Sequence, residues 1–184
     1  MRIDELTFSQ ARSLKPEKVG SVADVKKSLQ NFGYELAGKG LYSEVYQKAG
    51  SNVVVKVNAG QLDKCWVKFA EIAKQNKSDQ HLPKIGRIMV SKDDYMIVFI
   101  EKLNDQPTGS GGFVDEQVLS EIDFSVLVEK PKEEIIEEFG PTIGEDLIET
   151  ILMLDDARGS CNWDLHPGNI MWRGNTPVIT DPWA

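Results

Sequence analysis

The stretch NDQPTGSGG, residues 104–112, constrains the fold more than any other. Three glycines, a proline and small polar side chains in nine positions cannot hold a regular element, so the segment is a flexible joint. Before it, apolar residues recur with the two-residue period of strands. After it they recur mostly with the period of helices. The chain must therefore build a β-rich part and an α-rich part on either side of a hinge. With 184 residues, 41% of them apolar, it has material for one domain or for two small lobes sharing a cleft.

Residues 1–20 are polar and without clear period. Ser21 then opens a helix as its N-cap, with Asp24 placed as in a capping box and Gly33 closing the far end. Val22, Val25, Leu29 and Phe32 give that helix one apolar face. YELAGKGLYSEVYQKAGSNVVVKVN reads as strand, Gly-rich turn, strand, Gly-containing turn, strand. Residues 61–76 return to helical period, with Cys65, Phe69, Ile72 and Ala73 on one side. LPKIGRIMVSKDDYMIVFIEKL gives two more strands about a tight turn at Lys92-Asp93-Asp94. Beyond the joint, helices are predicted over 114–128, 131–139 and 143–159, the last two separated by Gly140-Pro141. NIMW and PVIT close the chain as a hairpin across Arg173-Gly174-Asn175. The acidic stretch EKPKEEIIEEFG reads as a solvated helix face, a partner-binding edge being the alternative. There is no internal repeat and no low-complexity tract.

The charge of −8 is spread over interspersed acids and bases, which argues against direct nucleic-acid binding. It does not forbid a nucleotide, whose phosphates a metal ion and a few cations can mask locally. Cys65 and Cys161 lie far apart in sequence, without a metal-ligand partner, and are expected to be buried thiols in a reducing cytosol. MRIDELTFSQ has no apolar signal region. No run of about 18 apolar residues exists, so no membrane span is expected.

Several residues suggest chemistry. Gly38 and Gly40, in GKGLYSEVY, would let backbone amides approach an anion; an ordinary hairpin is the plainer reading. A Rossmann turn is excluded because the loop leads into a strand. Lys56 interrupts the apolar run VVVKV, where an ammonium needs a partner unless the strand is an edge. Glu71 on the next helix is the expected partner, with Asp63 as competitor. Asp164 and Asn169 lie five apart in WDLHPGN, bent by Pro167-Gly168, and Asp181 follows the hairpin. Asn169 and Asp181 are hard oxygen donors of the kind that hold Mg²⁺ beside phosphate. Asp164 would orient a hydroxyl and accept its proton. His166 has no second His nearby and is assigned a structural or phosphate-contacting role. Loops rich in Asp and Asn arise without any such function.

Glycine hairpin, strand Lys, helix Glu, joint, helices, D-x-x-x-x-N loop, hairpin and Asp follow one another as in a protein kinase. MIVFIEKL then occupies the hinge, where backbone at Glu101 and Leu103 would meet the adenine of ATP. WDLHPGNIMWRGNTPVITDP and LAGKGLYSEVYQ…NVVVKV resemble the early-gene serine/threonine protein kinases of podophages that encode their own RNA polymerase. The likeness runs from Tyr34 to Pro182.

The resemblance implies an α+β, protein-kinase-like fold. Residues 1–33 form an N-terminal extension with a helix, and 34–103 an N-lobe of five antiparallel strands and one helix. Residues 104–112 are the hinge, and 113–184 a truncated, mostly helical C-lobe with a short β-hairpin. It also implies ATP and Mg²⁺ as cofactors, Lys56 and Asp164 as catalytic groups, and Gly38, Gly40, Lys56, Glu71, Glu101 and Leu103 as nucleotide contacts. Asn169 and Asp181 become metal ligands. Host bacterial proteins, among them transcription or RNA-processing machinery, become targets in the cytoplasm of the infected cell, without membrane association.

The departures are specific. Asn162-Trp163-Asp164 replaces HRD, which removes the Arg that receives an activation-loop phosphate. His166 stands where protein kinases carry Lys, and Asp181-Pro182-Trp183 replaces the DFG triad. The sequence reaches Ala184 without an activation segment. That is expected of a minimal kinase, of a piece of a longer one, or of a protein that keeps the cleft for another purpose. A kinase-fold protein inhibiting a host enzyme or defence factor by contact is the alternative function. A small-molecule kinase of the aminoglycoside type shares DLHPGN, but its acceptor pocket uses later helices absent here.

Overall fold

The structure is a computed structural model that describes residues 21–40, 43–58, 63–90, 95–108, 119 and 121–184. By its contacts the chain forms two compact units. One comprises Met1–Asp63 with Lys84–Lys102, the other Lys64–Pro83 with Leu103–Ala184.

The first unit begins with helix α1, Val22–Asn31. The Ser21 hydroxyl accepts the Asp24 amide at 3.2 Å and donates to its carboxylate at 2.7 Å, so two ends of the first turn are tied as the sequence suggests. Gly33, at φ +79°, supplies the left-handed residue that turns the chain into the sheet. Strands β1 (Tyr34–Lys39), β2 (Ser43–Lys48), β3 (Val53–Asn58), β4 (Ile85–Val90) and β5 (Met96–Glu101) form one antiparallel sheet in the order β1-β2-β3-β5-β4. The turns expected at 41–42 and 92–94 lie outside the described residues. One sheet face carries Tyr46, Val55, Val57, Ile97 and Phe99, which bury Val25 and Leu29 of α1. Apolar contact of this extent is what fixes a helix that is too short to persist alone.

The second unit contains α2 (Lys64–Gln75), α3 (Phe124–Leu127), α4 (Lys132–Ile143), α5 (Glu145–Arg158), a 3₁₀ turn at Pro167–Asn169, and the hairpin β6 (Ile170–Arg173) and β7 (Thr176–Ile179). Its α2 buries Trp66, Phe69, Ala70 and Ala73, which keeps Phe69 and Ala73 of the expected stripe and has Trp66 and Ala70 in place of Cys65 and Ile72. Two expectations about its helices are corrected. The region 114–128 is not one helix among its described residues, because the Asp123 carboxylate caps the amides of Ser125 and Val126 and starts α3 afresh. Nor does Gly140-Pro141 end α4. The proline sits in the last turn, where it removes one intrahelical N–H without ending the helix, and the helix stops at Gly144, φ +87°.

The two cysteines are also corrected. Cys65, in the first turn of α2, and Cys161, just after α5, have Cα atoms 5.8 Å apart and form a disulfide. Helix packing brings them together across 96 residues, a proximity no local pattern encodes. None of the described helices is long and apolar enough to cross a membrane.

Candidate functional site

In the second unit, backbone pairing assembles Asp164, Asn169 and Asp181. The hairpin register sets Ile170 opposite Ile179, so Asn169 and Thr180 meet at its open end. There the Thr180 amide and hydroxyl both donate to the Asn169 carbonyl, at 2.8 and 2.9 Å. The chain entering the loop is tied to the same segment. The Asp164 amide donates to the Pro182 carbonyl at 2.8 Å, and Asn162 and Ala184 exchange both bonds at 3.1 Å. Asp181 is thus held on either side by residues bonded to the Asp164–Asn169 loop.

Within the loop, the Asn169 Nδ2 donates to the Asp164 carbonyl at 2.8 Å. This contact fixes which end of the amide faces where, leaving Oδ1 as the atom that could serve a cation. His166 caps the 3₁₀ turn, its Nδ1 accepting the Gly168 amide at 3.1 Å. An imidazole whose Nδ1 accepts carries its proton on Nε2, so the exposed ring offers an N–H outward. A Cβ on Gly168 would lie 2.8 Å from the His166 Cε1, which explains a glycine where φ alone does not demand one. Asp164 is exposed, as a base serving an external hydroxyl must be.

Residues that the sequence analysis did not single out support the site. The Asp155 carboxylate accepts Arg158 Nε at 2.6 Å and Trp163 Nε1 at 2.8 Å, anchoring the residue before Asp164. Trp66 donates to the Thr180 carbonyl at 3.3 Å, and Trp183 packs edge-on against Phe69 at 6.1 Å. Buried His81 takes the hairpin from behind: Nδ1 bonds the Pro177 carbonyl at 2.9 Å, and its own carbonyl accepts the Ile179 amide at 2.9 Å. Arg173 donates to the Gln80 and Leu82 carbonyls, at 2.7 and 2.9 Å. The unusual number of tryptophans near the loop was the only sequence signal for this frame; the rest is set by tertiary pairing.

Other predicted residues are distributed over both units. Lys56 lies half-buried on β3, the middle strand, between Val45 and Val98, so the edge-strand explanation of this lysine fails. Gly38 lies within β1 and Gly40 directly follows it, and a Cβ on Gly38 would meet nothing within 4 Å. The protein's own packing therefore does not require Gly38. Nearby Glu44 binds Lys26 at 2.8 Å and accepts the Tyr46 hydroxyl at 2.6 Å. The bond to Lys26 holds the Glu44 carboxyl below its ordinary range, while burial and then Glu44 push the Tyr46 phenol up to about 12. Glu101 is buried and its carboxylate accepts the Lys84 amide at 2.7 Å, so that side chain closes the β4–β5 pair. Glu71 is exposed on α2, and buried Leu103 precedes the Asn104–Trp172 bridge. Asp63 precedes α2.

No three His, Cys, Asp or Glu side chains form a complete metal cage among the described residues. Asn169 and Asp181 carry oxygen donors of the kind that could hold Mg²⁺.

Neither a family model nor a curated protein matches the chain. Among solved structures, the chain is similar to the kinase PK-1 of the Cydia pomonella granulovirus, with a TM-score of 0.43 and 12% identity. The alignment covers 86% of this chain and 57% of that one, so the chain spans little more than half of that kinase's length.

Proposed function

We propose that this chain is an ATP-dependent serine/threonine protein kinase of minimal form, acting on host bacterial proteins in the cytoplasm during phage infection. The observation that carries the reading is the Asn169 Nδ2 bond to the Asp164 carbonyl, within a loop whose Asp164 amide is paired to the Pro182 carbonyl. Asp164 is exposed there, and Asp181 lies between residues 180 and 182, which are bonded to the same loop.

In the reaction, Asp164 orients a Ser or Thr hydroxyl and takes its proton as the oxygen attacks the γ-phosphorus. The new O–P bond forms as the bond from phosphorus to the β,γ-bridging oxygen breaks, and ADP leaves. Asn169 and Asp181 would hold Mg²⁺, which supplies charge neutralisation on the phosphates. The outward Nε2–H of His166 donates to a phosphate oxygen in place of a lysine. The same reading gives Gly38, Gly40 and Lys56 to the nucleotide's phosphates and the Glu101–Leu103 stretch to its base. Glu71 remains the residue proposed to brace Lys56.

The test is transfer of label from γ-labelled ATP with Mg²⁺ to proteins of a bacterial lysate, beside Asp164→Ala. Transfer is expected to fall on the order of 10²-fold or more while ATP binding persists. Labelling that the substitution leaves unchanged would refute the assignment and favour the contact inhibitor.

A further inference from the structure

Three contacts converge on the segment that carries Asp164 and the one that carries Asp181. Cys65 of α2 is bonded to Cys161, three residues before Asp164. Its neighbour Trp66 donates to the Thr180 carbonyl, immediately before Asp181, at 3.3 Å. One turn on, Phe69 packs edge-on against Trp183 at 6.1 Å. Residues 162–164 are in turn paired to 182–184 by the Asn162–Ala184 exchange and the Asp164–Pro182 bond. Of these ties between α2 and the two segments, only the cystine is covalent, and it is the only one that electron transfer can open.

We propose that the Cys65–Cys161 cystine is a redox-sensitive staple that positions the Asp164 loop, opened by a dithiol reductant. The positions of the sulfurs suit such chemistry. Cys161 is buried and Cys65 only half-buried, so an incoming thiolate attacks at Cys65. The attack forms a mixed disulfide and releases the Cys161 thiolate, which takes a proton. The second thiol of the reductant then displaces Cys65 as a thiol. Two electrons pass from the dithiol, which becomes a cyclic disulfide, to the cystine, which becomes two thiols. Cys161 retains a local tether through its amide and carbonyl, which pair with Arg158 at 3.2 Å each. What reduction removes is the link from that tether to α2. The resulting change in the loop does not depend on the enzyme assignment; the consequence for turnover rests on the proposed kinase reading.

The experiment compares the full chain before and after treatment with dithiothreitol, alongside a Cys65→Ser/Cys161→Ser variant. Thiol titration is expected to rise from zero to two per chain on reduction. Hydrogen exchange at the amides of Asn162, Asp164 and Ala184 is expected to accelerate about tenfold or more. The variant, which has no cysteine, should exchange like the reduced protein and ignore dithiothreitol. Tryptophan emission should rise on reduction because the cystine neighbours Trp66. Two free thiols in the untreated protein, or exchange that reduction leaves unchanged, would overturn the staple. Phosphate transfer measured on the same samples should differ at least tenfold between the two states. Equal transfer in both states also overturns the proposal. Absence of transfer in either state refutes the kinase reading instead, and the staple is then decided by exchange alone.

Discussion

Gly168 and His166 form the smallest testable piece of the site. A methyl group at Gly168 meets the His166 ring at 2.8 Å, and the exposed ring can swing away only by giving up its cap on the 3₁₀ turn. Loss of such a cap costs about 1 kcal/mol. Gly168→Ala should therefore destabilise by about that much in denaturant titration, because its φ lies outside the left-handed region and adds no strain. With His166→Ala already made, the same Gly168→Ala should turn neutral or stabilising by about 0.5 kcal/mol, since a more restricted unfolded chain is all that remains. Additive costs in the double variant would contradict the contact. Trp183 gives a second test. Its indole N–H is buried without a hydrogen-bond partner, whereas that of Trp66 bonds the Thr180 carbonyl. An orphaned buried donor costs about 1–3 kcal/mol, which offsets much of what a smaller ring loses in packing. Trp183→Phe should accordingly cost at least about 1 kcal/mol less than Trp66→Phe.

At the scale of elements, the strands were legible because alternation and turn residues agree. Gly50 and Gly174 adopt φ +72° and +65° in the tight turns where glycine is expected, and Ser21 and Gly33 bound α1. Errors arose where local signals compete with tertiary packing. Pro141 reads as a stop, yet α4 continues past it to Ile143, which is buried. Asp123 could have been read as a cap, and its position inside a long periodic stretch concealed it. Spacing marks Asp164, Asn169 and Asp181 as candidates, whereas the pairing of their two segments, like the contacts of His81 and the cystine, joins residues distant in sequence that no local pattern encodes. The tie between α1 and β2 carries a pH signature. Tyr46 is raised from 10 to about 12, so the folded state holds its proton more tightly. That contribution is fully present below pH 10 and fades as pH rises toward about 12. Glu44, lowered by Lys26, acts in the opposite sense: its contribution stands above the ordinary carboxylate range and is lost as acid protonates it. Denaturation midpoints of the protein and of Tyr46→Phe should converge as pH is raised through that alkaline window. Parallel curves would show that the phenol is not linked to folding.

For the molecule as a whole, the chromophores divide with the units. Trp66, Trp163, Trp172 and Trp183 all belong to the second unit, while Tyr34, Tyr46 and Tyr95 belong to the first. Tryptophan emission therefore reports the unit that holds the cystine, Asp164, Asn169 and Asp181, and tyrosine absorbance reports the α1–sheet unit. A ligand that binds only the folded protein stabilises it by RT ln(1 + [L]/Kd), about 2.7 kcal/mol at a hundred times Kd. Because the proposed metal donors Asn169 and Asp181 lie in the second unit, ATP with Mg²⁺ should raise the tryptophan-reported midpoint. Removing the metal with EDTA should reverse most of the shift. Asp181→Ala should abolish the part that depends on Mg²⁺ and keep the part due to ATP alone, whereas Asp164→Ala, which removes the base and no metal donor, should retain both. A midpoint indifferent to Mg²⁺·ATP over a millimolar range would remove the nucleotide from the account. An equal Mg²⁺-dependent shift in Asp181→Ala would remove that residue from the metal.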